Sequence, residues 1–157
     1  MDKNSWDATW GKINWYLQDP LKIKRQVQKL LSVGINPNMQ DENGMTALMQ
    51  ASASGQYDVV KRLLKADVNQ NMQDKDGWTA LMWAMRGEKG DIAQLLMLSG
   101  ADFRLRDKKG WTAFAFISDA MEMKVLETLR LSRQIRPPRK TKVAKKLANK
   151  PVFQHAR

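Results

Sequence analysis

Few side chains in this sequence could support catalysis or bind a metal, and their spacing suits neither task. Residues 74–77 read DKDG and begin like a calcium-binding loop. Such a loop needs glycine at its sixth position and glutamate at its twelfth, where Thr79 and Met85 stand. The single histidine, His155, lies near the chain end, and cysteine is absent. Without a nucleotide-binding, hydrolase or zinc-protease motif, we expect no enzyme, cofactor or metal.

Tryptophans beside charged side chains offer binding chemistry instead. Trp78 and Trp111 each lie between a glycine and a threonine, and Met45 occupies the same place in an earlier copy of that phrase. Tryptophan and arginine are the residue types favoured at the energetic centres of protein interfaces. The alternative is structural, since each indole could pack over its own turn and the next unit. Trp83 follows in a short apolar segment and is predicted to lie in the core between units.

The C-terminal segment is a second candidate for binding, through charge alone. Residues 133–157, the basic tail, carry nine basic side chains and no acidic one. Residues 1–40 have a net charge of +3 and residues 41–132 of −1, so the tail holds most of the total of +11. The excess predicts an anionic partner, with RNA or DNA first through counterion release. An acidic protein surface, an acidic membrane and a solvated tail without a partner remain open. The candidate residues are Arg133, Arg136, Arg139, Lys140, Lys142, Lys145, Lys146 and Lys150.

Length and hydropathy favour one soluble domain followed by this tail. The chain has 157 residues, of which 43% are hydrophobic. No apolar run approaches the roughly 20 residues of a membrane span, and the N-terminus lacks the apolar stretch of a secretion signal. We therefore expect a cytoplasmic protein. The segment RPPRKTKVAKK resembles a nuclear import signal, so a nuclear location stays open.

The strongest pattern is a phrase repeated every 33 residues. The three copies read DENGMTALMQA from residue 41, DKDGWTALMWA from residue 74 and DKKGWTAFAFI from residue 107. Each Asp-x-x-Gly predicts a tight turn, and the threonine after it is a plausible helix N-cap. A short apolar helix and a second helix should then follow, with Gly100 just beyond one helix end. The apolar positions of the second helices are Val59, Val60, Leu63 and Leu64; Ile92, Leu95, Leu96 and Leu98; and Val125, Leu126, Leu129 and Leu131.

Turn, helix and helix at this period, with G-x-T-A-L near the start, resemble the ankyrin repeat over about residues 20–132. The resemblance implies an all-α solenoid of stacked helix pairs with short projecting β-turns, stabilised by stacking. We expect a domain at residues 1–132, with an N-terminal cap at 1–40 and repeats at 41–73, 74–106 and 107–132. In the cap, the spacing of Trp6, Trp10, Ile13 and Leu17 predicts one helix, and Pro20 begins a second that ends at Gly34.

Some positions depart from the family pattern. Alanine replaces the usual proline before the first-helix leucine, and methionine or alanine replaces the histidine after it. The glycines of RGEKGD, residues 86–91, are shifted relative to SASGQYD in the preceding repeat. The third repeat has Ile117 and Met121 where small residues and glycine are usual. These bulky residues suit a terminal repeat.

The resemblance also implies where a partner would bind. In ankyrin repeats the position of Met45, Trp78 and Trp111 is variable and faces the concave surface, so these side chains should form a row. The predicted protein-binding residues are Met45, Lys75, Trp78, Arg86, Lys108, Lys109 and Trp111. If the two indoles serve binding, their replacement by alanine should leave thermal unfolding little changed.

Three functions are compatible with these features. The first is a non-catalytic protein–protein interaction module whose basic tail contacts an anionic partner in the same assembly. The second is a nucleic-acid or ribonucleoprotein-binding factor that relies mainly on the tail. The third, by analogy with repeat proteins of microbes or viruses, is an inhibitor or effector that blocks a target enzyme.

Overall fold

The computed structural model describes residues 20–66 and 68–131, and within them the chain forms six α-helices and one short 3-10 helix. The helices are α1 (Pro20–Ser32), α2 (Ala47–Ala53), α3 (Tyr57–Leu64), α4 (Ala80–Arg86), α5 (Gly90–Leu98) and α6 (Asp119–Leu131), with the 3-10 helix (Ala113–Phe116) before α6. The helix predicted at residues 6–17 and the basic tail lie outside the described residues. None of the helices in the described part combines the length and apolar character that crossing a membrane requires.

The helices form two layers. The inner layer contains α2, α4 and the 3-10 helix, and the outer layer contains α1, α3, α5 and α6. Each helix contacts its neighbours in the same layer, and α2–α3 and α4–α5 pack as hairpins between the layers. Buried alanines on the inner helices, among them Ala51 and Ala84, permit this close packing. The predicted all-α solenoid of stacked helix pairs is confirmed.

A polar turn connects each outer helix to the next inner helix. The side chains of Asp41, Asp74 and Asp107 each accept hydrogen bonds from the two backbone N–H groups that lie two and four residues further on, at 2.7–2.9 Å. Thr46 and Thr79 then cap α2 and α4, because their side chains accept the N–H of Met49 and Met82 at 3.3 Å. The sequence interpretation of Asp-x-x-Gly-x-Thr as turn and cap is confirmed in these two repeats.

Successive turns approach closely, which explains their glycines. Gly44 and Gly77 have positive φ values of 78° and 82°. A Cβ atom on either would lie 2.9 Å from backbone atoms of the next turn. The turns are also joined directly, since the N–H of Lys75 donates to the carbonyl of Asn43 and that of Lys108 to the carbonyl of Asp76, both at 3.0 Å.

Amide side chains join one repeat to the next. The Nε2 of Gln40 donates to the Gly44 carbonyl of its own turn and to the Gln73 carbonyl of the next repeat. Gln73 repeats the arrangement, with its second bond to the Arg106 carbonyl at 2.8 Å. Asn38 and Asn71 likewise accept N–H groups 31 residues later. At the end of the second repeat these positions are Arg106 and Arg104, and among the described residues the Arg106 side chain bonds only to the turn that follows it.

The third repeat differs from the other two in its inner helix. The expected helix is a four-residue 3-10 turn, and Thr112 makes no side-chain cap there. Ile117 stands at the position of Ala51 and Ala84, which are completely buried between helices. A side chain of its size does not fit that gap, so the backbone becomes extended at Ile117 and α6 begins early. Met121, predicted to be unusual here, is buried in that extension.

Outer-helix burial follows most of the predicted apolar positions. Val59, Val60 and Leu63 are buried, as are Ile92, Leu96 and Val125. Leu98 is the exception, because it is exposed while the preceding residue, Met97, is buried. The prediction placed Leu98 on the wrong side of α5. Gly100 follows that helix with positive φ, as predicted, and Gly34 does so after α1.

Candidate functional site

The candidate site is a cleft between the turns and inner helices of the second and third repeats. We call it the aromatic cleft, and its volume is about 410 Å³. Four aromatic side chains line it together with charged residues from the two turns and the end of α4. The lining residues are Asp76, Trp78, Trp83, Arg86, Asp107, Lys108, Lys109, Trp111 and Phe116.

Trp78 is the centre of the aromatic group. Its ring centroid lies 4.9 Å from that of Trp83 in the same repeat and 4.6 Å from that of Phe116 in the next repeat. The guanidinium carbon of Arg86 lies 5.6 Å from the same centroid, within cation–π range. Trp78 is therefore half-buried and packs against the hydrophobic core. Because the ring of Trp78 is part of the contact between repeats, we now expect its replacement by alanine to lower thermal stability, unlike the expectation from the sequence.

Trp111 has the same position in its turn but a different environment. It is 42% exposed, and its indole forms one wall of the cleft. Its backbone N–H donates to Asp107 Oδ1 at 2.8 Å, so the turn fixes the start of the side chain. The two indoles thus line one cleft, and Trp111 is the more exposed of the two.

Trp83 contributes to both the core and the cleft. The prediction assigned it to the core between repeats, and its ring does pack there. However, Trp83 is half-buried, lines the cleft, and donates from Nε1 to Asp74 Oδ2 at 2.9 Å. Asp74 Oδ1 also accepts the backbone N–H of Trp78. The same carboxylate therefore binds the Trp83 indole and the backbone of Trp78.

The sequence analysis did not assign Trp83 or Phe116 to the binding surface. A signal was present, since both residues lie five positions after the tryptophan of their turn, and Gln50 has that position in the first repeat. The equivalent pair in the first repeat is Met45 and Gln50, whose Sδ and Nε2 atoms are 3.9 Å apart. The five-residue spacing between a turn residue and an inner-helix residue could therefore have identified Trp83 and Phe116 as residues of the cleft.

Five of the seven predicted protein-binding residues line the cleft together: Trp78, Arg86, Lys108, Lys109 and Trp111. Met45 and Lys75 do not line it. Met45 is half-buried at the base of the first turn, and Lys75 is exposed at the tip of the second. Both lie on turns that hydrogen-bond to their neighbours, so they flank the cleft on the side of the first repeat.

Charge in the cleft is mostly positive. Arg86, Lys108 and Lys109 are exposed, and among the described residues none has an ion pair within 4 Å. Asp107 is only 7% exposed, and its Oδ1 accepts the N–H groups of Lys109 and Trp111. Asp76 is the exposed carboxylate of the lining. Within the described residues, no three His, Cys, Asp or Glu side chains are grouped to bind a metal ion.

The two-layer stack, its stacked turns and its 33-residue period decide the family. A model of ankyrin repeats matches residues 22–107 with three copies, which is more than half of the chain. This chain is a member of the ankyrin-repeat family. The ankyrin match ends as the third turn begins, so the altered 3-10 helix and α6 lie beyond it. A search of curated proteins found no significant match to the chain.

Ankyrin repeats are protein–protein interaction modules, and this chain therefore contains such a module. Ankyrin-repeat proteins are generally non-catalytic, consistent with the absence of a catalytic motif in the sequence. The predicted anion-binding residues, from Arg133 to Lys150, lie outside the described residues.

Proposed function

We propose that this ankyrin-repeat protein is a non-catalytic adaptor that binds a protein partner through the aromatic cleft and the turns beside it. The observation that supports this most is the convergence of three tryptophans and one phenylalanine from two repeats on one cleft. Aromatic and arginine side chains supply most of the energy of protein interfaces when they lie together in such a recess. Met45 and Lys75 extend the surface toward the first repeat.

Site-specific photocrosslinking tests this surface directly. Trp111 is replaced by benzoylphenylalanine, and the matched control carries the same group at Lys61, an exposed residue of the outer helix α3. Illumination in native lysate should give adducts of discrete mass from position 111 and none from position 61. Equal adduct patterns from the two positions, or none from position 111, would contradict the proposal.

A second candidate function concerns the basic tail, and its charge is the observation that favours it. Nine basic and no acidic residues in 25 positions suit contact with nucleic acid or another anionic surface in the same assembly. Replacing Lys140, Lys142, Lys145 and Lys146 by glutamine should weaken binding to a single-stranded RNA and flatten its salt dependence. Binding that is unchanged by the four substitutions argues against this role.

A further inference from the structure

We infer that the aromatic cleft receives an acidic segment of the partner protein, with an apolar side chain between flanking carboxylates. This inference rests on the proposed function and adds the chemistry of the ligand to it. It follows from three properties of the cleft: the sign of its free charges, the way its ring faces are covered, and the exposure of one wall.

The free charges favour carboxylates. Arg86, Lys108 and Lys109 border the cleft, and none of them has an ion pair among the described residues. The carboxylate of Asp107 already accepts two N–H groups of its own turn. The lining thus has three cations and two carboxylates, and of the two carboxylates only Asp76 is exposed at the rim while Asp107 is 7% exposed. Guanidinium and ammonium groups form strong charge-assisted hydrogen bonds with carboxylates, and such complementarity also sets specificity.

The ring contacts disfavour a cationic ligand and a stacked base. Arg86 lies over Trp78 and already uses the attraction of that ring for a positive charge. Trp83 and Phe116 contact the same indole at 4.9 and 4.6 Å. Because a nucleobase needs an open aromatic face for stacking, the covered indole of Trp78 is poorly suited to that mode. An aliphatic or aromatic side chain can instead contact the ring edges.

The exposed wall supplies the remaining contact area. Trp111 is 42% exposed and lines the cleft together with Lys108 and Lys109. The cleft volume of about 410 Å³ lies within the range of about 300–1,000 Å³ that ligand sites commonly have. A leucine or phenylalanine of the partner would therefore cover Trp111 while the neighbouring carboxylates meet the lysines.

Peptide titration followed by NMR tests the inference on the full-length protein. Indole N–H signals are recorded with ¹⁵N-labelled tryptophan, and those of Trp78, Trp83 and Trp111 are assigned from single replacements by phenylalanine. Three synthetic peptides serve as probes: Gly-Glu-Glu-Leu-Glu-Glu-Gly, its counterpart with lysine for glutamate, and its counterpart with glycine for leucine. The first should shift the signals of Trp78 and Trp111, the second should not, and the third should bind several-fold more weakly.

Charge reversal provides the matched comparison. The triple variant Arg86→Glu, Lys108→Glu, Lys109→Glu should lose the acidic peptide by at least about tenfold in affinity, about 1.4 kcal/mol, and gain the lysine peptide. The variant Lys29→Glu, Lys61→Glu, Lys65→Glu makes the same change in net charge on the outer helices α1 and α3 and the cap of α3. It should keep the affinity for the acidic peptide within about twofold.

Three results would overturn the inference. One is an equal response of Trp78 and Trp111 to the lysine peptide in the unaltered protein. Another is a response to a uridine octamer but not to the acidic peptide. The third is an equal loss of affinity in both charge-reversal variants. The first two need no charge-reversal variant, so they decide the question even if the triple variant fails to fold. If crosslinks still form at position 111, the adaptor function stands although its acidic ligand does not.

Discussion

The rings of Trp78 and Phe116 are in contact across a repeat boundary, with their centroids 4.6 Å apart. The two residues belong to the second and third repeats, and both line the aromatic cleft. The contact therefore serves two purposes, because it joins neighbouring repeats and shapes the surface proposed for binding. Stability and recognition are therefore coupled at Trp78, which is more buried than Trp111.

The first prediction compares the two turn tryptophans. Trp78→Ala should lower the free energy of unfolding by about 2–3 kcal/mol, because a half-buried ring and its contacts with Trp83 and Phe116 are lost. Trp111→Ala should cost less, about 1 kcal/mol, because the residue is 42% exposed and so more accessible than Trp78. Urea unfolding of both variants measures the difference. Equal losses would show that Trp111 is also structural. In a separate crosslinking experiment with benzoylphenylalanine at Lys109, both substitutions should weaken the yield of partner adducts.

The second prediction concerns Glu88, which has a positive φ of 56°. It stands 33 residues after Gly55, whose φ is 75°, so the loop keeps the conformation although the glycine has moved to position 87. Glu88→Gly should raise the free energy of unfolding by up to about 1 kcal/mol, because the left-handed conformation costs about that much for other residues. Gly55→Ala is the matched control and should be destabilising. Unfolding midpoints that fall for Glu88→Gly would contradict this account of the loop.

The third prediction compares two threonines with equivalent positions. Thr79→Ala should cost about 1 kcal/mol, since its side chain accepts the N–H of Met82 and caps α4. Thr112→Ala should cost less, because Thr112 caps nothing at the 3-10 helix. Thermal unfolding followed by circular dichroism gives both values, with the conservative Thr79→Ser variant expected to retain most of the stability. A larger effect at Thr112 than at Thr79 would be inconsistent with the geometry of the third repeat.

The fourth prediction concerns the pKa of Asp102, which a hydrogen bond from the Arg104 side chain lowers below its ordinary value. A carboxylate with a lowered pKa stabilises the folded state above its unfolded pKa, and this contribution disappears as the pH falls through the folded value. Arg104→Ala should therefore raise the pKa of Asp102, as seen by NMR titration of its carboxyl carbon. The stability difference from the unaltered protein should be small at neutral pH, below about 1 kcal/mol for this exposed pair, and should vanish in acid.

The matched control for that titration is Arg106→Ala. Its guanidinium donates to the Gly110 carbonyl and does not contact Asp102. The pKa of Asp102 should stay in place in this variant. A shift of similar size in both variants would mean that general charge, rather than the hydrogen bond from Arg104, determines the pKa.

Much of the fold could be predicted because the same residue types form the same local hydrogen bonds and turns in successive repeats. Asp74 anchors its turn, Gly77 allows the next turn to approach, and Thr79 caps the helix, all within six residues of sequence. Such local hydrogen bonds and backbone requirements are visible as residue types at fixed positions. The 33-residue period then multiplies the evidence, since the same types recur in the neighbouring repeats.

The cleft was harder to predict because it depends on packing between repeats. The sequence placed Trp78 and Trp111 at equivalent positions, but their burial differs: Phe116 of the next repeat contacts the indole of Trp78, whereas Trp111 is 42% exposed. The orientation of the Trp83 ring depends on the hydrogen bond that its Nε1 donates to Asp74, nine residues earlier. The effect of Ile117 on the third inner helix also needed the structure, since it arises from the space available between layers.

The arginines at positions 104 and 106 have a consequence for the order in which this array loses structure. Amide side chains join the cap to the first repeat and the first repeat to the second, whereas the second repeat ends with Arg104 and Arg106. The third repeat has a short 3-10 turn in place of an inner helix. Because a solenoid is held by nearest-neighbour contacts, its least supported unit frays first. Warming should accordingly erode the aromatic cleft, which needs the third repeat for half of its walls, while α2 to α5 are still folded. Recognition would then fail at a lower temperature than the bulk of the helical signal.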